Sequence, residues 1–361
     1  MQKIDRQVAF TGTKDVAEPL RFDPARLEAY MAREAPGFTG PLKVQQFRGG
    51  QSNPTYLLET PLRKYVLRRK PPGKLLPSAH AVDREYKVIT ALHAQGFPAA
   101  KTYGLCMDDG VLGAAFYIME MVEGRTFWDQ TLPAVQREER RPIFESEILT
   151  LAKLHSYDPE KIGLGDYGRP GNYFARQVDR WTKQYRASET EKVDEVERLI
   201  EFLPKTVPQQ DRVSVVHGDY RLDNMIFAAD KPQVLAVLDW ELSTLGDPLA
   251  DFSYHLMAWS MPPEDTGAGT GSLVGHDLAA LGIPSMSAYV EMYHARTGFD
   301  PRPHLATYLA YNFFRIAAIL QGIAGRVRDG TATSEHAPAK SQMVRPLAET
   351  AWRFAREAGA R

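Results

Sequence analysis

Residues 213–251, VSVVHGDYRLDNMIFAADKPQVLAVLDWELSTLGDPLAD, decide the fold of this 361-residue chain. The run begins with the β-branched segment 213–216, which is too short for a helix and predicts a buried strand. The loop that leaves this strand ends at Asn224, and residues 225–238 predict a hairpin. Because a hairpin returns its second strand to where the first began, Asn224 and Asp239 are expected to lie side by side.

Three polar side chains in this run are the groups that phosphoryl transfer requires. An acceptor hydroxyl needs a carboxylate to orient it and accept its proton, and nucleotide phosphates need metal ions held by hard oxygen ligands. Asp219 follows the first strand, Asn224 comes five positions later, and Asp239 closes the second apolar run. The pattern therefore predicts a magnesium-dependent phosphoryl-transfer site. The alternative is an Asp-rich hairpin turn without catalysis.

The motifs HGDYRLDN at 217–224 and LDWE at 238–241 resemble those of the aminoglycoside phosphotransferase and choline kinase family, a branch of the protein-kinase-like fold. The resemblance implies that Asp219 is catalytic and that Asn224 and Asp239 bind the metal. Arg221 takes the place of a Lys that contacts the transferred phosphate in protein kinases, which implies a catalytic role. ATP and Mg²⁺ are the implied cofactors, and a small molecule with a hydroxyl group is the implied partner.

The implied fold class is α+β with two lobes. The N-lobe should contain a five-stranded antiparallel sheet with one key helix, and the C-lobe should be mainly helical. We expect an N-terminal extension with one helix over 1–41, a nucleotide-binding N-lobe over 42–123, and a C-lobe with the catalytic loop and acceptor pocket over 124–361. Asp23 before Pro24 is typical of a helix start, so the helix of the extension should begin there.

The loop between the first two predicted strands of the N-lobe, RGGQSNPT at 48–55, predicts a cover for the nucleotide phosphates. Glycines let backbone N–H groups approach phosphate without hindrance from side chains. Gly49 and Gly50 are the predicted glycines, and Ser52 and Asn53 are the polar groups expected to contact phosphate. An ordinary turn is the alternative.

The third strand and the next helix carry a predicted ion pair. Protein kinases place a Lys on this strand to bridge the phosphates and a helix Glu. Arg68 occupies that position, and Glu85 is the expected partner. Because strand alternation puts Lys70 on the same face, Lys70 is the alternative cation. Glu120 and Val122, in the connection between lobes, are expected to hold the adenine edge through their backbone.

The composition is that of an ordinary soluble enzyme. The formal net charge is −1, with 43% hydrophobic and 25% charged residues, which argues against nucleic acid as a partner. One cysteine, Cys106, excludes an intrachain disulfide framework and a Cys-rich zinc site. No apolar run approaches the length that spans a membrane, and no signal-peptide core is expected. We therefore expect a cytoplasmic protein with no membrane partner, while the oligomeric state stays open.

Two features of the C-lobe concern the surroundings of the site. The resemblance implies that Asp251 supports the catalytic loop and that His155 is structural. The Gly- and Pro-rich segment 261–276 follows no strand, so it is not a dinucleotide-binding motif, and a mobile loop near the acceptor pocket is expected.

The acceptor is the least determined part. The segments 71–88 (PPGKLLPSAHAVDREYKV) and 217–227 (HGDYRLDNMIF) resemble the kinase-type portion at the N-terminus of some acyl-CoA dehydrogenase-like proteins, which implies a 4-hydroxyacyl-CoA. An aminoglycoside, choline or another small alcohol is the alternative acceptor, and a non-catalytic nucleotide-binding pseudokinase is the alternative of another class. A CoA pocket should offer several cations beside an apolar channel. The helical stripe of basic residues that could border it, or could be a solvated face, is Arg176, Arg180, Lys183 and Arg186.

Overall fold

A computed structural model describes residues 6–49, 53–72, 80–169, 171–210, 212–263, 271–332, 334 and 336–361. Within these residues six strands form one antiparallel sheet with the order β1-β2-β3-β4-β6-β5. The strands are β1 (Thr13–Lys14), β2 (Lys43–Phe47), β3 (Thr55–Glu59), β4 (Lys64–Arg69), β5 (Thr102–Cys106) and β6 (Phe116–Glu120). This sheet is the core of the N-lobe.

Most of the rest of the described chain is helical. The helices are α1 (Arg6–Phe10), α2 (Pro24–Glu34), α3 (Val82–Ala94), α4 (Asp109–Leu112), α5 (Arg137–Ser156), α6 (Tyr173–Ser188), α7 (Asp194–Thr206), α8 (Pro248–His255), α9 (Leu278–Leu281), α10 (Met286–Thr297), α11 (Leu305–Arg328), α12 (Ala337–Ser341) and α13 (Val344–Glu357). Four short strands form two antiparallel pairs in the C-lobe. They are β7 (Ser214–Val216) with β10 (Thr244–Gly246), and β8 (Met225–Phe227) with β9 (Val234–Val237).

The N-terminal extension is part of the N-lobe, so the sheet has six strands in the described chain rather than the five expected. Thr13 pairs with Phe47 and Lys14 with Gln46, which adds β1 to the edge of the sheet at β2. The helix α2 starts as expected, because the Asp23 side chain accepts a hydrogen bond from the Ala25 N–H at 2.9 Å. An unpaired edge strand can accept a further strand, and the extension supplies it.

The buried face of α2 explains why it packs on the sheet. Its Leu27, Tyr30 and Met31 belong to the same apolar cluster as Tyr65 and Phe116 of the sheet. Burying a large apolar side chain stabilises a fold by about 1.5–3 kcal/mol relative to leaving it exposed. The short helix α1, which precedes β1, was not expected from the sequence.

Gly124 lets the connection between lobes pass close to the C-lobe hairpin. A Cβ atom at this position would lie 2.2 Å from the Phe227 carbonyl oxygen and 2.6 Å from a methyl group of Ile226. Immediately after it, Arg125 and Phe227 exchange backbone hydrogen bonds of 2.8 Å in both directions. The absence of a side chain at Gly124 thus keeps the two lobes in contact at this point.

In the C-lobe, α11 is the central helix. It packs against α6, α8 and α13, and its buried residues include Phe313, Phe314 and Ala317. Phe313 stacks on Phe354 of α13 with ring centroids 5.8 Å apart. Among the described residues, no helix is both long enough and apolar enough to cross a membrane.

Candidate active site

The backbone of the loop after β7 is held by Asp251. This buried carboxylate, on α8, accepts hydrogen bonds from the N–H groups of His217 at 2.6 Å and Gly218 at 2.8 Å. His155 Nε2 lies 3.3 Å from the same carboxylate. Burial would raise the pKa of Asp251, but His155 and the loop outweigh burial and lower it. Asp251 therefore supports the loop, as expected.

His217 and Gly218 shape the turn that presents the next residue. The Nε2 of His217 donates to the Leu238 carbonyl at 2.8 Å, and its Nδ1 accepts from the Asp219 N–H at 3.2 Å. Gly218 has φ +83°, and a Cβ there would lie 2.8 Å from the Leu242 carbonyl oxygen. The glycine is required for both its backbone conformation and its close contact.

Asp219 is the centre of a hydrogen-bond cluster. Its Oδ1 accepts from Arg221 Nε at 2.8 Å and from the Tyr254 hydroxyl at 2.5 Å. Its Oδ2 accepts from Arg221 Nη2 and from Asn224 Nδ2, both at 3.1 Å. Burial would raise the pKa of Asp219, but the Arg221 guanidinium and the donated hydrogen bonds lower it below its usual value. Asp219 is thus an ionised carboxylate at neutral pH.

The hairpin brings the chain at Asn224 next to the chain at Asp239, as expected. Met225 pairs with Val237, and the Leu238 N–H donates to the Asn224 carbonyl at 2.8 Å. Asp239 has φ 64° and ψ 62°, a left-handed conformation that costs a non-glycine residue about 1–3 kcal/mol. Such strain is typical of functional positions.

The donor set at this point fits a magnesium ion that arrives with nucleotide phosphates. Asp239 and Glu241 both lie near Arg68 Nη2, at 2.7 Å and 3.4 Å, and the Asn224 side chain, whose Nδ2 donates to Asp219, also carries an amide oxygen. Within the described residues, no group of three or more His, Cys, Asp and Glu side chains could hold a metal. Mg²⁺ is usually bound by one or two carboxylates with substrate phosphates and water completing its shell. The residues therefore suit a metal that is shared with the substrate.

Arg68 is the cation that meets Glu85. Its Nε lies 2.8 Å from Glu85 Oε2, and its Nη2 lies 2.7 Å from Asp239 Oδ1. Burial alone would lower the pKa of Arg68, but the carboxylates of Glu85 and Asp239 outweigh it and raise the pKa. The Tyr117 hydroxyl also donates to Glu85, at 3.2 Å. Arg68 thus ties the sheet, α3 and the predicted metal-binding loop together.

Asn53 contacts Glu85 instead of lying open to phosphate. It is fully buried; its Nδ2 donates to Glu85 Oε1 at 2.9 Å, and its Oδ1 lies 2.9 Å from His80 Nδ1. Gly50 and Ser52, the neighbouring predictions, lie outside the described residues. Gly49 packs against α1, since a Cβ there would lie 3.4 Å from the Phe10 carbonyl oxygen. The structure therefore corrects the expectation for Asn53, whose amide orients the Glu85 carboxylate.

Glu120 and Val122 lie in the connection between the lobes. The Glu120 N–H donates to the Lys101 carbonyl at 2.7 Å, which joins this end of β6 to the chain before β5. Both residues line a cavity of about 380 Å³, together with Phe97 and Leu235. Contact of their backbone with adenine stays a prediction.

Several residues of the site were not predicted from the sequence. Tyr254 donates to Asp219, and Glu241 lies beside Arg68. Arg6 of α1 forms an ion pair with Asp223 of the loop 217–224, with Nη2 and Oδ2 3.0 Å apart. No local sequence signal connects these pairs. Arg6 and Asp223, for example, are 217 positions apart.

Arg6 joins a chain of alternating charges that ends at Asp219. Asp223 Oδ2 accepts from Arg6 and also from Arg221 Nη1 at 3.1 Å, and Arg221 in turn holds Asp219. The guanidinium of Arg6 lies over the Trp128 ring, 4.9 Å from its centroid. Because β1 pairs with the sheet, α1 links the N-lobe directly to the loop 217–224 of the C-lobe.

A cavity of about 1350 Å³ opens beside Asp219. Part of its wall is polar and basic, while another part is apolar and includes one side of α11. The apolar residues include Met257, Met261, Ile316, Ile319, Leu320, Ile323, Met343 and Leu347. The cationic residues are Arg6, Arg125, Arg221, Arg315 and Lys340. Among the described lining residues, Asp129 and Asp219 are the carboxylates.

The basic stripe on α6 does not border this cavity, so it matches the alternative of a solvated helix face. None of its four residues is among the described residues that line the cavity. Arg176 donates to the Arg169 carbonyl at 2.7 Å, Lys183 pairs with Asp179 at 2.8 Å, and Arg186 pairs with Glu197. Their spacing reflects a polar helix face whose charges are used locally.

Comparisons with known proteins show the family of this chain. Residues 43–304 match the family described as "Phosphotransferase enzyme family". The mouse protein named acyl-CoA dehydrogenase family member 10 is 43% identical over 323 residues, which cover 90% of this chain. The chain spans only 30% of the length of that relative.

Two solved structures show the same fold. A protein of Ralstonia eutropha JMP134, provisionally described as an aminoglycoside phosphotransferase, is 49% identical, with a TM-score of 0.85 and coverage of 93% of this chain and 99% of that chain. A thermostable mutant of aminoglycoside phosphotransferase APH(4)-Ia, in ternary complex with AMP-PNP and hygromycin B, has a TM-score of 0.59 at 14% identity. That alignment covers 92% of this chain and 98% of the other, and at this identity it shows the fold alone.

Proposed function

This chain belongs to the phosphotransferase enzyme family, and we propose that it transfers the γ-phosphoryl group of ATP to the hydroxyl of a 4-hydroxyacyl-CoA. The observation that carries the acceptor class is the cavity beside Asp219, with its apolar wall along α11. An acyl chain and a pantetheine arm are long and largely apolar, so they require such a wall next to the reacting hydroxyl.

ATP is the donor that the nucleotide side of the site supports. The buried ion pair of Arg68 and Glu85 resembles the arrangement that protein kinases use to hold phosphates. Arg68 also presents a planar fork suited to phosphate oxygens. The relative APH(4)-Ia binds AMP-PNP, an analogue of ATP, in the same fold. Asn224 and Asp239 would hold Mg²⁺, which neutralises phosphate charge when bound.

The reaction follows from the position of Asp219. Its carboxylate accepts a hydrogen bond from the acceptor hydroxyl and aims the oxygen at the γ-phosphorus. The new oxygen–phosphorus bond forms while the bond from the γ-phosphorus to the β,γ-bridging oxygen breaks, and ADP leaves. The hydroxyl proton passes to Asp219 and then to solvent. Because the pKa of Asp219 is lowered, the proton moves late, after bonding to phosphorus has made the hydroxyl more acidic.

Arg221 has two roles in this scheme. Its guanidinium holds Asp219 before the acceptor binds, and the same group can turn a donor toward the transferred phosphoryl group. Arg221 follows Tyr220 directly in the chain. The Tyr220 hydroxyl donates to the backbone carbonyl of the buried Glu147 at 2.8 Å, and this bond anchors the loop. The backbone of the loop is thus fixed while the Arg221 side chain can change its partner. This suits a residue that must contact the negative charge developing on the transferred phosphoryl group.

The charge of the cavity separates the two acceptor classes that the relatives' names suggest. Aminoglycosides are polycationic, so their kinases need carboxylates in the acceptor pocket. The described wall has cations from five Lys and Arg residues and carboxylates from Asp129 and Asp219. Because Arg6, Arg125 and Arg221 are themselves paired with carboxylates, the scarcity of carboxylates in the described wall, rather than an excess of positive charge, favours an acceptor such as a CoA thioester over a polyamine.

A labelled-phosphate screen tests this proposal. Wild-type protein would be incubated with γ-labelled ATP and Mg²⁺ against hydroxyacyl-CoAs, aminoglycosides and amino alcohols, and label in the acceptor would be measured. We expect label in 4-hydroxyacyl-CoA, lost in Asp219→Asn. Label confined to aminoglycosides or amino alcohols would contradict the proposed acceptor. Absence of label from every acceptor, with ATP bound, would favour a pseudokinase.

A further inference from the structure

Arg315 is a buried guanidinium beside the catalytic loop. It lies on α11, is 6% exposed and lines the acceptor cavity. Its Nη2 donates to the Gly218 carbonyl at 2.7 Å, one residue before Asp219. Within the described chain its Nε has no hydrogen-bond partner. Burial alone would lower the pKa of Arg315, and the Asp219 carboxylate acts on it only at a distance, by raising that pKa.

The surroundings of Arg315 are mostly aromatic. The guanidinium lies 4.9 Å from the ring centroid of Tyr254 and 5.7 Å from that of Trp181. Burying a charge is costly unless the charge is paired and fully hydrogen-bonded, and an arginine carries five N–H donors. One carbonyl and two ring faces use only part of that capacity. We infer that the remaining N–H donors of Arg315 bind a ligand group that has lone pairs.

The position of Arg315 in the helix indicates which part of a ligand it meets. Ile316, which follows Arg315 directly, and Ile319, Leu320 and Ile323 in the following turns of α11 line the same cavity. Arg315 thus lies where the polar end of the cavity, at Asp219, meets its apolar wall. A ligand that places a hydroxyl at Asp219 and an apolar chain along α11 brings the atoms between them to Arg315.

We propose that Arg315 is an acceptor-binding residue that donates to the carbonyl oxygen of the acyl thioester. This inference rests on the proposed function and deepens it. In a 4-hydroxyacyl thioester the carbonyl is only a few bonds from the hydroxyl, so the two groups meet neighbouring side chains. Arg315 then recognises acceptors with a carbonyl or carboxylate oxygen near the reacting hydroxyl, and it disfavours ammonium groups there.

A matched pair of acceptors isolates this contact. The first is 4-hydroxypentanoyl-CoA, and the second is its thioether analogue, S-(4-hydroxypentyl)-CoA, which keeps the hydroxyl, chain and CoA but lacks the carbonyl oxygen. A hydrogen bond from a charged donor is lost with the analogue, so wild-type kcat/KM should be about ten- to a hundredfold higher for the thioester.

Variants of Arg315 test whether this preference depends on its side chain. In Arg315→Met, loss of the donor to the Gly218 carbonyl should lower kcat/KM for both acceptors, and loss of the contact with the thioester should also bring the ratio of the two values to near one. Arg315→Gln keeps a donor for the Gly218 carbonyl and should lose the preference in the same way, which guards against misfolding of the Met variant. Arg315→Lys should restore part of the preference. Arg326→Met removes an exposed arginine of the same helix and is the matched control, with the wild-type preference.

The outcomes separate the two proposals. If wild-type protein turns over neither acceptor, the proposed function and this inference both fail. If it turns over both acceptors equally, or if Arg315→Met and Arg315→Gln lower both rates by one common factor, Arg315 has only a structural role and this inference alone is overturned. Loss of the thioester preference in both variants, with unchanged KM for ATP, supports it.

Discussion

Arg221 holds Asp219 with two guanidinium nitrogens, since Nε lies 2.8 Å from Oδ1 and Nη2 lies 3.1 Å from Oδ2. The two residues predicted to act on the acceptor and on the phosphate are therefore paired with each other. An acceptor hydroxyl must share the Asp219 carboxylate with Arg221, or displace it. Binding of an acceptor hydroxyl therefore changes the hydrogen bonds of this pair.

Asp219→Asn should lower kcat by roughly two to four orders of magnitude, because the amide cannot accept the hydroxyl proton. Binding of ATP should persist, since Asn224 and Asp239 are the proposed metal ligands. The measurement is single-turnover phosphoryl transfer together with calorimetric nucleotide binding. Asp230→Asn, in the exposed turn of the nearby hairpin, is the control and should behave like wild type. Turnover retained in Asp219→Asn would remove this residue from the mechanism.

Arg221→Met should change the pH dependence of kcat. Burial raises the pKa of Asp219 and Arg221 lowers it, so wild-type activity should stay flat through neutral pH and fall only where Asp219 is protonated, below its ordinary pKa. Without Arg221, burial dominates and the pKa rises. The acid limb of the kcat profile should therefore move to higher pH, which initial rates between about pH 4 and pH 8 would detect.

The lowered pKa of Asp219 also makes the stability of the fold depend on pH. A carboxyl whose pKa is depressed in the folded state stabilises the fold above its unfolded pKa, and this contribution is lost as the pH falls through the folded pKa. Melting temperatures at each pH would show whether a loss of rate at acid pH reflects unfolding. An acid limb in the same place in Arg221→Met and wild type would contradict the proposed control of Asp219 by Arg221.

Arg68→Met should reduce both stability and nucleotide affinity. Arg68 is buried against Glu85, and removal of one partner of a buried pair costs about 3–5 kcal/mol because it leaves the other charge without compensation. The double variant Arg68→Met, Glu85→Gln should recover part of the lost stability but not ATP binding. Urea unfolding and ATP titration measure the two effects. Lys64→Ala removes an exposed pair on the same strand, with Glu123, and should change neither.

Arg6→Gln should lower kcat several-fold while leaving the KM for ATP nearly unchanged. The reason is that Arg6 acts through Asp223 and Arg221, so its loss loosens the loop without touching the nucleotide. Lys14→Gln, which removes an exposed cation of the neighbouring strand, is the control. Amide exchange of residues 217–224 should be faster in Arg6→Gln and unchanged in Lys14→Gln. Equal exchange in both variants would rule out this role for α1.

The local parts of the site could be predicted from the sequence because they depend on short-range geometry. A hairpin between Asn224 and Asp239 brings its two ends together whatever the rest of the chain does. Asp23 capped α2 as its sequence signature predicts. The pair of Arg68 and Glu85 followed from the resemblance to kinases, because strand alternation alone left Lys70 as an alternative cation.

The parts that depend on distant segments were not predictable in the same way. Nothing near residue 6 indicates that Arg6 meets Asp223, and nothing in the apolar pattern of α11 distinguishes Arg315 from a surface arginine. Asn53 looked like a phosphate ligand because it follows a glycine pair, but the burial of its amide depends on the position of Glu85. The stripe on α6 has the positive charges that a pocket for CoA phosphates requires. Its position outside the cavity depends on how α6 packs, which the sequence does not show.

The measurement that tests the central claim most directly is the initial rate of ADP formation with 4-hydroxypentanoyl-CoA and with kanamycin, measured side by side in wild-type protein and in Asp219→Asn. We predict ADP formation with the thioester, an equal amount of phosphorylated thioester by mass spectrometry, and loss of both in Asp219→Asn. Turnover of kanamycin alone would contradict the account, because the cavity of cations and apolar side chains beside Asp219 would then bind a polycation.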